Sequence, residues 1–181
     1  SAELQKLNAD LEALDKKVTA AATPEAQSRL NAQRADLLEK IIDAAPAGEG
    51  RNLWIRQYTE TVSAAIQSGA FPNGVQRLES LLEKVKVLPG TTELIPYVKF
   101  RLLTAEYNRD LAGKDADFEK INSTYLERLE QFVKDYATSP DVAEAMLQLA
   151  IGAEFAGKTS DAVAWFGRIA KDFPSSDLAP K

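Results

Sequence analysis

Leu4, Leu7, Leu11, Leu14 and Val18 recur at alternating spacings of three and four, which puts one apolar seam along a helix covering about the first twenty residues. The seam stops at "AATPEAQ", where Thr23 is suited to cap a second helix and Pro24 fills a first-turn position that needs no amide proton. Leu30, Leu37, Leu38, Ile41 and Ile42 carry that helix to about Ala45, so residues 1–45 are expected to fold back as an antiparallel hairpin. After "APAGEG", helical period returns in Leu53, Trp54, Tyr58, Val62, Ala65 and Ile66 from Asn52 to Ser68, and "GAFPNG" ends it. A fourth helix opens near Val75 and gathers Leu78, Leu81, Leu82 and Val85 on one face before "LPGTT".

From about Thr92 to Ala112 two periods compete. Val98 to Leu102 alternates like a strand, whereas Leu103, Ala105, Tyr107 and Leu111 keep a helical face over the longer window, and the longer window favours helix. Pro96 is tolerated there if it lies in the first turn or just before it. Residues 115–136 carry the clearest amphipathic pattern, with Phe118, Ile121, Tyr125, Leu129, Phe132 and Val133 at threes and fours. Two last helices, about 140–155 and 160–172, join through "AGKTSD", where Gly157 supplies a C-terminal stop. Eight helices in four antiparallel pairs are therefore expected.

Near its end the chain repeats itself. Lys134, Asp135, Tyr136 and Ser139 return as Lys171, Asp172, Phe173 and Ser176, a shift of 171 − 134 = 37 residues. Leu129 and Phe166, and Phe132 and Ile169, keep the same shift, so the repetition includes the buried face of the preceding helix. A period in the thirties is the mark of stacked helix pairs, each of which needs a neighbour to cover its second apolar face.

The stretch "AMLQLAIGAEFAGKTSDAVAWFGRIAKDFP" resembles a tetratricopeptide repeat over about thirty residues: Met146, Leu149, Ala150, Ala153, Gly157, Ala162, Phe166, Ile169 and Pro174 fall on that family's spacings. Met146 and Ala153 stand where the family usually has Trp and Tyr. Upstream, Phe100, Leu103, Thr104 and Tyr107 suit a more divergent copy with extra residues after it, and Gly69, Gly74 and Leu78 a still more divergent one. The resemblance implies an all-α fold, a tetratricopeptide-like α-solenoid of antiparallel helix pairs, with residues 51–181 as one continuous set of repeats behind the hairpin. It also implies a concave surface made of first-helix side chains: Glu144, Leu147, Gln148, Ile151, Glu154 and Phe155 in the last pair, and Arg101 and Asn108 in the one before. Such a surface suits an extended or helical peptide.

"KDFPSSDLAPK" is similar to repeat ends of bacterial envelope proteins of this family, which implies a periplasmic or envelope location. The overall layout also resembles the helical region that precedes a thioredoxin-like domain in some bacterial thiol-disulfide oxidoreductases. That resemblance implies an accessory or dimerising module of a longer protein, with the hairpin seam as one possible dimer contact.

Composition narrows the chemistry. Charged residues are 27 % and apolar ones 45 % of 181, a helix former's balance with a core. A net charge of −5 lacks the basic footprint that nucleic acid demands. No apolar run is long enough to span a bilayer, and "SAELQKLNAD" lacks a signal peptide's basic and apolar regions, so any export signal is expected to have been removed. With no Cys and no His, the chain has neither thiol chemistry nor the commonest general base and zinc ligand, so it is expected to be no enzyme and to hold no cofactor or metal.

Four short motifs point to chemistry and are outweighed. "NST" at 122–124 fits a glycosylation triplet but falls within a helix. Asp115, Asp117 and Glu119 have calcium-loop spacing, yet Lys120 stands where the loop needs Gly and Leu126 where it needs Glu, so helix-end electrostatics explains them better. "GEG" at 48–50 is expected to be a hinge. Gly152 with Gly157, Lys158 and Thr159 satisfies the phosphate-loop spacing without its strand, so a helix stop at Gly157 and close packing at Gly152 are expected instead. A non-enzymatic scaffold that binds a protein or peptide is the leading function, the module serving an oxidoreductase in cis the next, and a purely structural helical protein the third.

Overall fold

The structure, a computed structural model, describes residues 2–179; Ser1, counted in the first expected helix, and the final Pro180 and Lys181 lie outside the described residues. Among the described residues eight helices follow one another: α1 Ala2–Ala20, α2 Pro24–Ala44, α3 Glu49–Gln67, α4 Gly74–Val87, α5 Leu94–Leu111, α6 Phe118–Asp135, α7 Asp141–Phe155 and α8 Thr159–Asp172. No strand occurs among the described residues, and the fold is all-α.

Local chemistry sets the boundaries. The Thr23 hydroxyl accepts from the Ala26 amide at 3.2 Å and Pro24 opens α2, as the sequence predicts. The expected hinge at residues 48–50 narrows to Gly48, whose φ of +131° no side chain would favour, while Glu49 and Gly50 already belong to α3. α6 starts later than expected because Asp117 stays extended and its carboxylate accepts from the Lys120 amide at 3.1 Å. That bond accounts for Asp117 as a cap rather than a metal ligand. In α5, Tyr97, Val98, Phe100, Leu102 and Leu103 are all buried, so burial on several sides erases the helical period and produces the strand-like alternation. Pro96 lies in its first turn.

The chain divides into two compact units, Ser1–Arg109 and Asp110–Lys181. In the first, α1 packs on α2, α2 on α3 and α3 on α4 around Leu38, Ile41, Ile55, Tyr58, Val62, Leu78, Val85 and Val98. The heptad seam of α1 faces inward, with Leu11 buried and Leu4 and Leu7 packed at its side.

A second set of ties joins helices two places apart. Arg77 of α4 reaches Asp36 and Glu39 of α2, and Lys84 reaches Asp43 about two turns further along than Arg77 and Asp36, so α2 and α4 run in the same direction. Tyr97 and Arg101 of α5 both meet Glu60 of α3, while Arg51 and Asn52 at the start of α3 donate to the Pro89 and Gly90 carbonyls just before α5. Asn31 of α2 likewise holds the Ala70 carbonyl ahead of α4 at 3.1 Å. These polar ties span 37 to 41 residues, one helix pair in the sequence. Those from Asn31, Arg51 and Asn52 give loop carbonyls partners that the helices themselves do not supply.

The second unit is α6 on α7 and α7 on α8. α7 is rich in Ala because it is covered on both sides: Val142, Ala143, Ala145, Met146, Leu149, Ala150 and Ala153 are buried. A Cβ on Gly152 would lie 2.8 Å from Leu126 Cδ2, so the absence of a side chain there lets α6 and α7 approach. α7 ends at Gly157, with φ of +71°; the Lys158 amide donates to the Ala153 carbonyl at 2.9 Å and the Gly157 amide to the Glu154 carbonyl at 3.0 Å. Gly-Lys-Thr is therefore the corner of a helical hairpin.

Candidate partner-binding faces

The six α7 residues singled out by sequence share one side of the helix, the side its Ala and Leu core residues leave open. Glu144, Leu147 and Gln148 are half-buried, Ile151 is 39 % exposed, Glu154 is exposed and Phe155 is 90 % exposed. Leu147, Ile151 and Phe155 fall four apart, so the apolar stripe becomes more open toward the C-terminus of α7. Gln148 is held in place: its Oε1 accepts from the Tyr125 hydroxyl of α6, and its Nε2 donates to Glu144 Oε1 at 3.5 Å.

Phe118, which the sequence pattern counts in the apolar face of residues 115–136, is also left open in this unit. It is 66 % exposed. The five-residue connection 136–140 between two helices that pack on each other makes α6 and α7 antiparallel, which brings the N-terminal half of α6 alongside the C-terminal half of α7. Its position immediately after the cap Asp117 is the sequence signal, because a first helical residue precedes the turns that pack.

Arg101 and Asn108 lie on α5, in the first unit. The Arg101 guanidinium sits 3.7 Å from the Tyr97 ring centroid, with Arg56 at 4.4 Å from the same ring, and its Nε donates to Glu60 Oε1 at 3.0 Å. Asn108 is half-buried. Arg101 thus takes part in an internal network of opposite charges around a phenol.

Burial, together with the hydrogen bond to Glu60, pushes the Tyr97 phenol from 10.0 up to about 12. Its folded-state value lies above the unfolded one, so the stabilisation is complete below pH 10.0 and disappears as pH rises through about 12. We expect unfolding followed by Trp54 fluorescence to show the first unit losing stability across that window, and Tyr97→Phe to flatten the slope. An unchanged slope in the variant would assign the loss to other groups.

A groove of about 400 Å³ opens on the opposite side of α7, lined by Leu126 and Glu130 of α6, Leu149, Gly152 and Ala153 of α7, and Lys158, Trp165 and Arg168 at α8. At 100° per residue Leu149 and Ala153 are turned about 120–160° from Ile151 and Phe155, while Gly152 lies at the edge between the two sides, about 60–100° from them. Arg168 lies 5.1 Å from the Trp165 ring centroid. Among the described residues no group of three or more acidic side chains is arranged to hold a metal ion. Among the described residues no helix is long and apolar enough to cross a membrane. No family model, curated protein or solved structure matches the chain.

Proposed function

We propose that this chain is a non-enzymatic helical-repeat scaffold that binds a protein segment across α7, with Ile151 and Phe155 as apolar anchors, Phe118 beside them, and Glu144 and Glu154 as an acidic rim. The observation that carries the reading is the placement of a 90 % exposed Phe155 in line with Ile151 on a helix otherwise covered on both flanks. A large aromatic side chain left in water adds nothing to folding, whereas in an interface it is the kind of residue that dominates affinity. The fitting ligand is an amphipathic or extended peptide with apolar residues at regular spacing and Lys or Arg at its edges, complementary to the two glutamates. The tetratricopeptide-like reading of the repeats supports the same surface, since it assigns these positions to the ligand-facing side.

The test is binding of a library of such peptides to the full chain, compared with the double variant Ile151→Asp, Phe155→Asp. Both positions are exposed, so the variant keeps its fold, and selected peptides should bind it at least about tenfold more weakly, the loss of one ordinary anchor. Equal affinity for both proteins, or no selected peptide at all, would remove the proposal.

A further inference from the structure

The 37-residue repeat is a repeat of geometry as well as of letters. At the end of α6, Tyr136 has φ −128° and ψ 36° and its amide donates to the Phe132 carbonyl at 3.0 Å; at the end of α8, Phe173 has φ −133° and ψ 57° and donates to the Ile169 carbonyl at 2.9 Å. The Ser139 amide then donates to the Tyr136 carbonyl at 2.8 Å and the Ser176 amide to the Phe173 carbonyl at 3.0 Å. Both serines turn their hydroxyls onto the amide two residues ahead, Asp141 at 3.4 Å and Leu178 at 3.2 Å. The amides three residues ahead close the same small turn, Val142 on Ser139 at 3.1 Å and Ala179 on Ser176 at 3.0 Å. In the first copy this turn opens α7.

The helix faces correspond in sequence and differ in cover. On α6, Leu126, Leu129 and Val133 form a stripe at i, i+3 and i+7; Leu126 meets α7 at Gly152, and Leu129 and Val133 are 0 % and 2 % exposed. The same shift maps that stripe onto Val163, Phe166 and Ala170 of α8. There Val163 is 64 % exposed, Ala170 is exposed and Phe166 is half-buried. The α7-facing residues of α8, Ala162 and Ile169, are 1 % and 0 % exposed, so α8 is firmly seated while this second stripe is open.

We propose that the Val163, Phe166 and Ala170 stripe is the seat of a further amphipathic helix of the same polypeptide, entering from the Ser176 turn and lying antiparallel to α8 as α7 lies on α6. Because Val163 is one methylene shorter than Leu126, the incoming helix needs only a small residue such as Ala at that crossing, where α7 needs Gly. Stacked helix pairs require such a cover, since an end pair otherwise leaves its outer apolar face in water. The seat does not depend on the partner-binding reading of α7, which uses a different helix face.

The experiment compares the 181-residue chain with the native polypeptide purified from its source, each as wild type and as Val163→Asp, by thermal unfolding and amide hydrogen exchange. In the 181-residue chain the substitution should leave the melting temperature almost unchanged, because Val163 is 64 % exposed. In the native polypeptide it should lower the transition containing α8 by at least about 4 °C, and wild-type α8 amides should exchange at least about tenfold more slowly than in the shorter chain. Leu126→Asp, which strikes the covered counterpart, should destabilise both lengths. A native polypeptide with no helix after the turn, equal exchange in the two lengths, or a silent Val163→Asp in the longer one would overturn the proposal. Protection of α8 that rises with the concentration of the 181-residue chain would assign the stripe to a second copy and overturn it equally.

Discussion

Tyr58→Ala should destabilise the first unit by about 3–5 kcal/mol, whereas Tyr58→Phe should cost only about 1–2 kcal/mol. Tyr58 is 0 % exposed and sits among Ile55, Val62, Leu78 and the α2 residues of the same core, so truncation removes a whole ring from close-packed surroundings. The hydroxyl donates to Glu39 Oε1 at 2.7 Å, and Glu39 also receives Arg77 Nη1 at 3.3 Å. Deleting the hydroxyl therefore leaves the carboxylate with an ionic partner, and its side chain is 32 % exposed, so water can take the vacant position. Packing is expected to outweigh the hydrogen bond. Urea unfolding followed by Trp54 decides it, since the two tryptophans, Trp54 and Trp165, fall one in each unit. Equal losses in the two variants would reverse the order and make the buried hydroxyl the main term.

Much of this was legible because helix signals are local. The α1 seam, the Thr23 cap with Pro24, the Gly157 stop and the Gly152 approach each depend on residues within one or two turns, or on the size of one side chain. The 37-residue repeat could be read as well, and both of its turns keep the same hydrogen bonds. What stayed hidden was whatever depends on the identity of a distant neighbour. Nothing local marks Asn31 as the partner of the Ala70 carbonyl, or Arg51 as that of Pro89, because each bond is defined by how one loop meets a helix a full pair away. Phe118 was misassigned for a related reason. Its spacing suits the core stripe, but the stripe is covered only from the second turn of α6 onward.

The candidate face on α7 was legible as positions and not as exposure. Periodicity places Glu144, Leu147, Gln148, Ile151, Glu154 and Phe155 together, yet it gives no reason why cover should decline from half-buried Leu147 to a 90 % exposed Phe155. The end of the helix supplies the contrast: Tyr125 covers Gln148 midway along α7, whereas Phe155 is its last residue, next to the turn at Ala156 and Gly157.

Leu129→Ala should cost about 2–5 kcal/mol, and Phe166→Ala, its counterpart in the repeat, less than about 2 kcal/mol, although the second deletion removes the larger side chain. Leu129 is 0 % exposed, so its truncation leaves a cavity that the Ala-rich α7 cannot fill without moving its backbone. Phe166 is half-buried; part of the ring already faces water, and the vacated space opens to solvent instead of becoming a void. Sequence equivalence thus fixes where a side chain points on its helix, while the number of helices around it fixes what its loss costs. Chemical unfolding of the second unit, read by Trp165, compares the two directly. A loss at Phe166 equal to that at Leu129 would mean that something covers the outer side of α8 in solution, and the concentration dependence of that loss would show whether the cover is another copy of the chain.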